Sequence, residues 1–335
     1  MASEQAPRNE PRQQLNTGPL SQVTRWMENL NETQYAYLLL TPALVLLAVI
    51  ALYPLLDTLR MSLFADSLVG GLGEFTGVTN YVEIITGQRT ASLPSPFLPE
   101  AITVDALFNS ALIVTLIFTL VSVFFETIIG FGQALVLNQD FAGRRWVRVA
   151  IIIPWAVPIV IQGMIFFLLF TPGIGLFIGA ENNPTLLQQW GIFGQTPLAN
   201  TTESTLIVIV ADIWKTTAFM ALLILAGLQS VDRNLYDVAR VAGASKWQMF
   251  KRITLPVVLP SVLVAMLFRT IQAMRVYGVI EVVAGCNTVP SLSCLVITTF
   301  NQNLFGSSAA IAFTTAAIIG IMTGVYIIGY AREEV

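Results

Sequence analysis

Histidine is absent from all 335 residues. That absence excludes Ser–His dyads, HExxH zinc sites, histidine-ligated haem and Cys/His/Asn arrangements, and with them most membrane-enzyme chemistries. No G-x-x-x-x-G-K-[S/T] run occurs, so the chain has no P-loop, and any ATP chemistry belongs to a partner. Cysteine is limited to Cys286 and Cys294, a spacing wrong for a CxxC redox pair or a zinc site, and no metal-ligand set stands out. Charge is scarce as well: 11% of residues are charged, the net charge is −3, and no block of like charge points to nucleic acid.

What the chain has in abundance is apolar surface. At 55% hydrophobic residues it is too apolar for a soluble domain of this length and reads as an all-α integral membrane protein. Crossing a bilayer of about 30 Å takes about 20 helical residues, and six segments are long enough, at 37–59, 109–137, 147–170, 205–228, 257–280 and 309–330. Pro42, Pro54, Pro154, Pro158 and Pro260 fall inside or at the ends of these spans, where a kink is tolerated because neighbouring helices satisfy the freed carbonyls. The preceding residues 1–34 are polar and read as a disordered tail, without a cleavable signal peptide. Leu20, Val23, Met27 and Leu30 recur there at helical spacing, so an interfacial helix is the alternative. Residues 333–335 form a short C-terminal tail.

Orientation follows from the basic residues. With the N-terminus inside, Arg8, Arg12, Arg25, Arg144, Arg145, Arg148, Arg233, Arg240, Lys246, Lys251, Arg252 and Arg332 are cytoplasmic, and only Arg60 and Arg89 are external. Lys215, Arg269 and Arg275 lie within the membrane. This asymmetry places both termini and the 229–256 connection inside. Two external connections, 60–108 and 171–204, are long; they serve either as a docking platform for an external protein or as lids over helix ends. The first contains a candidate short helix at 79–85, and the second carries the low-specificity glycosylation sequon Asn200, Thr201, Thr202. A third external connection holds Cys286 and Cys294, which in an oxidising exterior either pair across a small hairpin or remain two thiols.

Ionisable groups at membrane depth cost at least about 2.5–3.5 kcal/mol on insertion scales, so they face other helices or a wet path. Asp212 and Lys215 are three apart and can neutralise each other on one helix face. Arg269, Gln272 and Arg275 step by three along the fifth segment, with Arg269 about 14 Å beyond Pro260 at 1.5 Å per residue, and Glu126 is a counter-ion for one of the arginines. Together with Gln162, Trp214, Thr216 and Tyr277 these groups either line a path for a polar, uncharged solute or zip helices together. In the first case amide, guanidinium and carboxylate bind sugar hydroxyls while an aromatic face covers the ring. Gly320 and Gly324 make a G-x-x-x-G in the last span, read as close helix packing within the chain, with a heteromeric interface as the alternative.

The polar island at 236–256, YDVARVAGASKWQMFKRITLP, is the most informative stretch. Ala239 and Gly243 share a helix face bare enough for another backbone to approach. Asp237-Val238-Ala239, Gly243 and Ile253-x-Leu255-Pro256 stand at the spacing of the cytoplasmic loop of ABC-importer permeases, with Asp and Val where that loop has Glu and Ala. The sequence resembles the sugar-importer branch of that family, the maltose, trehalose and glycerol-phosphate type, over about 37–330. Gly143-Arg144, Arg148, Pro154 and Pro158 carry that resemblance, as do Trp214, Ala226-Gly227-Leu228, Phe268-Arg269-Thr270 and Arg275-Val276-Tyr277. The branch's usual Phe-Asp and Gly-Gly-Pro turn are replaced here by Tyr277-Gly278 and Gly285-Cys286-Asn287, which leaves the sugar open.

The resemblance implies a type I ABC importer permease of six transmembrane helices with a cytoplasmic coupling helix. It implies a second permease subunit, a dimeric cytoplasmic ABC ATPase holding ATP and Mg, an external solute-binding protein and a sugar substrate, with no cofactor bound by this chain. It further implies that Asp237, Ala239, Ala242, Gly243, Ala244 and Lys246 contact the ATPase. Two other classes stay open: an ion-coupled secondary transporter using Glu126, Asp212 or Lys215, and a membrane scaffold.

Overall fold

The computed structural model describes residues 30–67, 71–88 and 92–333. The interfacial helix expected around Leu20, Val23 and Met27 lies outside the described residues. The chain divides into two compact units, Met1–Thr58 and Leu59–Val335.

Helix α1 (Glu32–Ser62), whose residues up to Thr58 belong to the first unit, begins at Asn31, whose side chain accepts the Thr33 amide while Gln34 returns a bond to the Asn31 amide, closing a capping box. The helix widens to a π turn at Ala48–Leu52, where the Tyr53 amide reaches the Ala48 carbonyl five residues back. Pro54 follows at once. A proline brings no N–H to the carbonyl four back, and the wider turn re-pairs the backbone around that gap.

The second unit opens with a hairpin, β1 (Phe64–Asp66) antiparallel to β2 (Leu72–Phe75). Short helices α2 (Thr79–Thr86) and α3 (Val104–Asn109) lead to the first long helix of this unit, α4 (Ala111–Leu137). Helices α5 (Arg144–Ala156) and α6 (Ile159–Phe170) follow, then the short α7 (Leu186–Gln189) and the long α8 (Thr201–Gln229). After α9 (Arg233–Val241) comes α10 (Lys246–Ala273), and then α11 (Gly278–Val283), α12 (Leu292–Asn301) and α13 (Phe305–Glu333). Five of these helices, α1, α4, α8, α10 and α13, are long and apolar enough to cross a membrane, and α5 with α6 makes a sixth, broken span.

Two spans depart from the sequence expectation. The segment expected over 147–170 is not one kinked helix: α5 and α6 are bent by 92°. Pro158 is the cause, because its ring disfavours helical geometry at Val157, which is extended at φ −67°, ψ 129°. The span expected over 257–280 ends at Ala273, and the chain then turns into α11. Pro260, by contrast, sits inside unbroken helix, while Pro256 is preceded by a second π turn, Phe250–Thr254, of the same make as that before Pro54.

Helices α4, α8 and α10 form the centre of this unit. Gly130 on α4 brings the backbones of α4 and α8 together: a Cβ there would lie 2.8 Å from Met220 Cβ and 3.1 Å from the Ala221 amide nitrogen. Gly227 does the same between α8 and α10, where a Cβ would meet Ser261 Oγ at 2.5 Å. Small residues at such crossings let dispersion contacts act over whole helix faces. The Gly320/Gly324 stripe behaves differently, for a Cβ at either position meets nothing within 4 Å, so it does not pack within this unit.

Gly130→Val should therefore destabilise the protein by about 1–3 kcal/mol through overpacking. Gly132→Val, on the same helix with nothing within 4 Å of its Cβ position, should leave thermal unfolding of the detergent-purified chain unchanged. Equal melting of the two variants would refute this helix contact.

Candidate functional site

The polar residues of the spans assemble around Arg269 on α10. Its Nε donates to Glu126 Oε2 at 2.5 Å and its Nη2 to Glu126 Oε1 at 3.0 Å, while Nη2 also donates to Asp212 Oδ2. Thr216 Oγ1 bonds Glu126 Oε1 at 2.5 Å and the Asp212 carbonyl at 2.7 Å. Glu126 is 0% exposed and Arg269 3%. One guanidinium thus ties α4, α8 and α10. Its fork geometry matches a carboxylate with two parallel bonds, which an ammonium cannot do.

The pairing expected between Asp212 and Lys215 is replaced. Asp212 faces Arg269, and Lys215 donates instead to the backbone carbonyl of Val157, at the break between α5 and α6. A carbonyl left over at the end of a half-helix inside a membrane needs a donor, and a cation at a helix C-terminus also complements the helix dipole.

Beside this cluster lies a cavity of about 230 Å³. Of the residues expected on a solute path, Gln162, Thr216, Gln272, Arg275 and Tyr277 line it, together with Asp212, Lys215 and Arg269. Glu126 and Trp214 do not. The Glu126 carboxylate is consumed by Arg269, and the Trp214 ring packs against Phe166 with centroids 5.9 Å apart. Arg275 and Tyr277 reach the cavity because α10 stops at Ala273, Tyr277 being the residue that precedes α11. Gln162, 1% exposed, fixes its amide by donating Nε2 to the Ala211 carbonyl at 2.7 Å, and its Oε1 has no partner among the described residues. Gln272 and Arg275 are exposed side chains that make no hydrogen bond or ion pair within the described residues. The cavity therefore offers an immobile acceptor, several donors and two aromatic rings, Phe118 and Tyr277, an arrangement able to bind a hydroxyl-rich solute.

On the far side of this region, Cys286 and Cys294 are joined by a disulfide with Cα atoms 5.3 Å apart. It ties the segment after α11 to α12, and Ser291 between them bonds the Val276 carbonyl at 2.9 Å.

The segment 232–256 stands at the opposite end of α4, α8 and α10, where Tyr236 and Ile253 pack on the buried Leu137, Leu228 and Val258. Asp232 caps α9 by accepting the Asn234 amide at 2.9 Å. The helix ends in a Schellman turn: Gly243 takes φ +78°, Ala244 N–H reaches the Ala239 carbonyl at 2.9 Å and Gly243 N–H the Arg240 carbonyl at 3.0 Å. Ser245 and Gln248 then form a capping box for α10. Tyr236 Oη and Thr254 Oγ1, 2.8 Å apart, and the stacked Trp247 and Phe250 brace the turn. Ala242, Gly243 and Lys246 are exposed, whereas Ala239 and Ala244 are half-buried. Asp237 pairs with Arg240 at 2.7 Å. The sequence reading missed Val238 and Val241, exposed by 70% and 92%. Their three-residue spacing with Leu235 was the available signal.

A family model described as "binding-protein-dependent transport system inner membrane component" matches residues 126–332. The trehalose/maltose transport system permease protein MalF of Thermococcus litoralis is 32% identical over 307 residues, 90% of this chain and 96% of that protein. The sulfoquinovosyl glycerol transport system permease protein SmoG of Agrobacterium fabrum is 33% identical over 313 residues, 92% of this chain and 94% of its own length. A crystal structure of a bacterial ABC transporter that imports the acidic polysaccharide alginate contains a chain of the same fold, with a TM-score of 0.67 at 19% identity, covering 92% of this chain and 99% of that one.

Removing Arg269 strands two buried carboxylates, and breaking a buried pair this way costs about 3–5 kcal/mol. Arg269→Gln should lower thermal stability sharply, and Glu126→Gln with Asp212→Asn in the same chain should recover most of it. A melting temperature that is unaffected by Arg269→Gln alone would show that the cluster holds nothing together.

Proposed function

The chain belongs to the binding-protein-dependent transport system inner membrane components, as a permease subunit of an ABC importer, and from that membership we propose that it forms half of the translocation path for a di- or oligosaccharide. The carrying observation is the cavity at the α5/α6 break, lined by the fixed acceptor Gln162 Oε1, the donors Lys215, Gln272 and Arg275, and the Tyr277 ring. Sugar hydroxyls pair with the first four; the ring covers a C–H face. The permease itself is not an enzyme, since ATP hydrolysis resides in a separate chain.

The second permease completes the path, and an external solute-binding protein delivers the sugar. Inside, a pair of ATPases holding ATP and Mg receives the segment 233–246 in a groove. Val238, Val241 and Ala242 supply exposed apolar contact there, and Gly243 supplies the bend. Closure of the ATPases on ATP carries this segment along, and because it is seated on the ends of α4, α8 and α10, those spans move with it. The cavity alternates between the two sides. The basic-residue asymmetry supports cytoplasmic termini.

In cells carrying the complete transporter, Gln162→Ala and Arg275→Ala should each reduce uptake of the cognate sugar by about two- to tenfold, the worth of a hydrogen bond of roughly 0.5–1.5 kcal/mol, with assembly unchanged. Val241→Asp should act differently, leaving sugar binding intact but abolishing sugar-stimulated ATP hydrolysis in the purified complex. Wild-type uptake in both cavity variants would remove the cavity from the path, and normal stimulation in Val241→Asp would remove the segment from the ATPase contact.

A further inference from the structure

Helix α2 is apolar on two opposite faces. One face is buried: Ile84, 2% exposed, joins Phe97, Ala111, Ala310 and Ile311 in one core, and Asn80 donates to the carbonyls of Ser62 at 2.9 Å and Phe64 at 2.7 Å. The other face carries Val78, Val82 and Ile85, exposed by 65%, 53% and 52%, and is extended by Phe75 at 67%. On a helix, positions 78, 82 and 85 fall within one narrow sector. No charged side chain lies in it.

The buried face fixes the depth of this stripe. Ser62 is the last residue of α1, Ala111 the first of α4, and Ala310 and Ile311 stand in the second turn of α13. Gly306 lies so close to the Phe64 carbonyl that no Cβ fits between them, and the Ser307 amide bonds Asp66 Oδ1 at 3.1 Å. Helix α2 is therefore anchored beside the first turns of α4 and α13, at the end of α4 remote from the 232–256 segment.

We propose that the Phe75/Val78/Val82/Ile85 stripe is a lipid-contacting surface, lying in the boundary between headgroups and acyl chains of the outer leaflet with α2 parallel to the membrane plane. Two features select lipid over a protein occupant. The stripe carries no hydrogen-bonding group that a protein partner's polar rim would answer. Its depth coincides with the boundary. In this position α2 and the hairpin hold the first connection against the membrane, so that Ser62 and the start of α13 keep a fixed spacing there.

The test uses nitroxide labels on Val78→Cys, Val82→Cys, Ile85→Cys and Glu74→Cys, one at a time. The complete transporter is placed in phosphatidylcholine/phosphatidylglycerol nanodiscs, and collision rates with oxygen and with nickel-EDDA are measured. All four positions are exposed and the two native cysteines of this chain are joined to each other, so labels displace no core and, with any cysteines of the partner subunits replaced, attach only where intended. Oxygen collisions should exceed nickel-EDDA collisions at 78, 82 and 85, with the reverse at 74. Dominant nickel-EDDA collisions at the three stripe positions would place them in water, and low rates with both reagents would mean that a protein subunit covers them. Either result overturns the proposal.

Discussion

Everything in the membrane-embedded centre depends on how Arg269 is held. A lone guanidinium at this depth is costly, and so are two carboxylates. Brought together with parallel bonds to Glu126 and a further bond to Asp212 they satisfy one another, with Thr216 taking a remaining lone pair of Glu126. Because the three charges come from α4, α10 and α8, they can pair only when those helices are in register. Buried ion pairs add little net stability compared with apolar replacements, but they penalise wrong registers heavily. The same grouping leaves Lys215 free to reach Val157, and that contact supports the break between α5 and α6 on which the cavity opens.

The two ends of the helix cluster are built on different terms. At one end 232–256 is a rigid turn, capped by Asp232, bent at Gly243 and braced by Trp247 on Phe250, yet Val238 and Val241 stay exposed on it. Under the proposed coupling to a partner ATPase that rigidity matters, since a flexible loop would absorb the partner's movement before passing it on. At the other end, the disulfide between Cys286 and Cys294 and the bond from Ser291 to the Val276 carbonyl hold the segment beyond the cavity in place. Between them the side chains facing the cavity stand on helices, or on helix ends fixed by these contacts.

The spans were legible in the sequence because twenty apolar residues admit few other readings, and the hidden parts are those decided by partners far along the chain. Pro158 and Pro260 look alike in a hydropathy pattern, yet one ends a helix and the other does not. What differs is the surroundings: Lys215, 58 residues away, supplies the donor that lets Val157 leave the helix. Spacing alone favoured Asp212 with Lys215, since neighbours three apart share a face, but a guanidinium 57 residues on was the better partner. Glu126 and Trp214 were expected on the solute path from their polarity and shape, but neither lines the cavity: Glu126 is buried against Arg269, and Trp214, still 40% exposed, packs against Phe166. In the 236–256 stretch the small residues were legible and the exposed valines were not, because a valine in a polar island reads equally well as buried.

The central claim is that this subunit passes a sugar through the membrane at the expense of a partner's ATP. Uptake of labelled disaccharides into proteoliposomes holding the complete transporter and its binding protein tests it directly, with ATP supplied on the ATPase side and a protonophore added or withheld. The account predicts uptake that requires ATP and is indifferent to the protonophore; uptake that persists without ATP and collapses with the protonophore would contradict it.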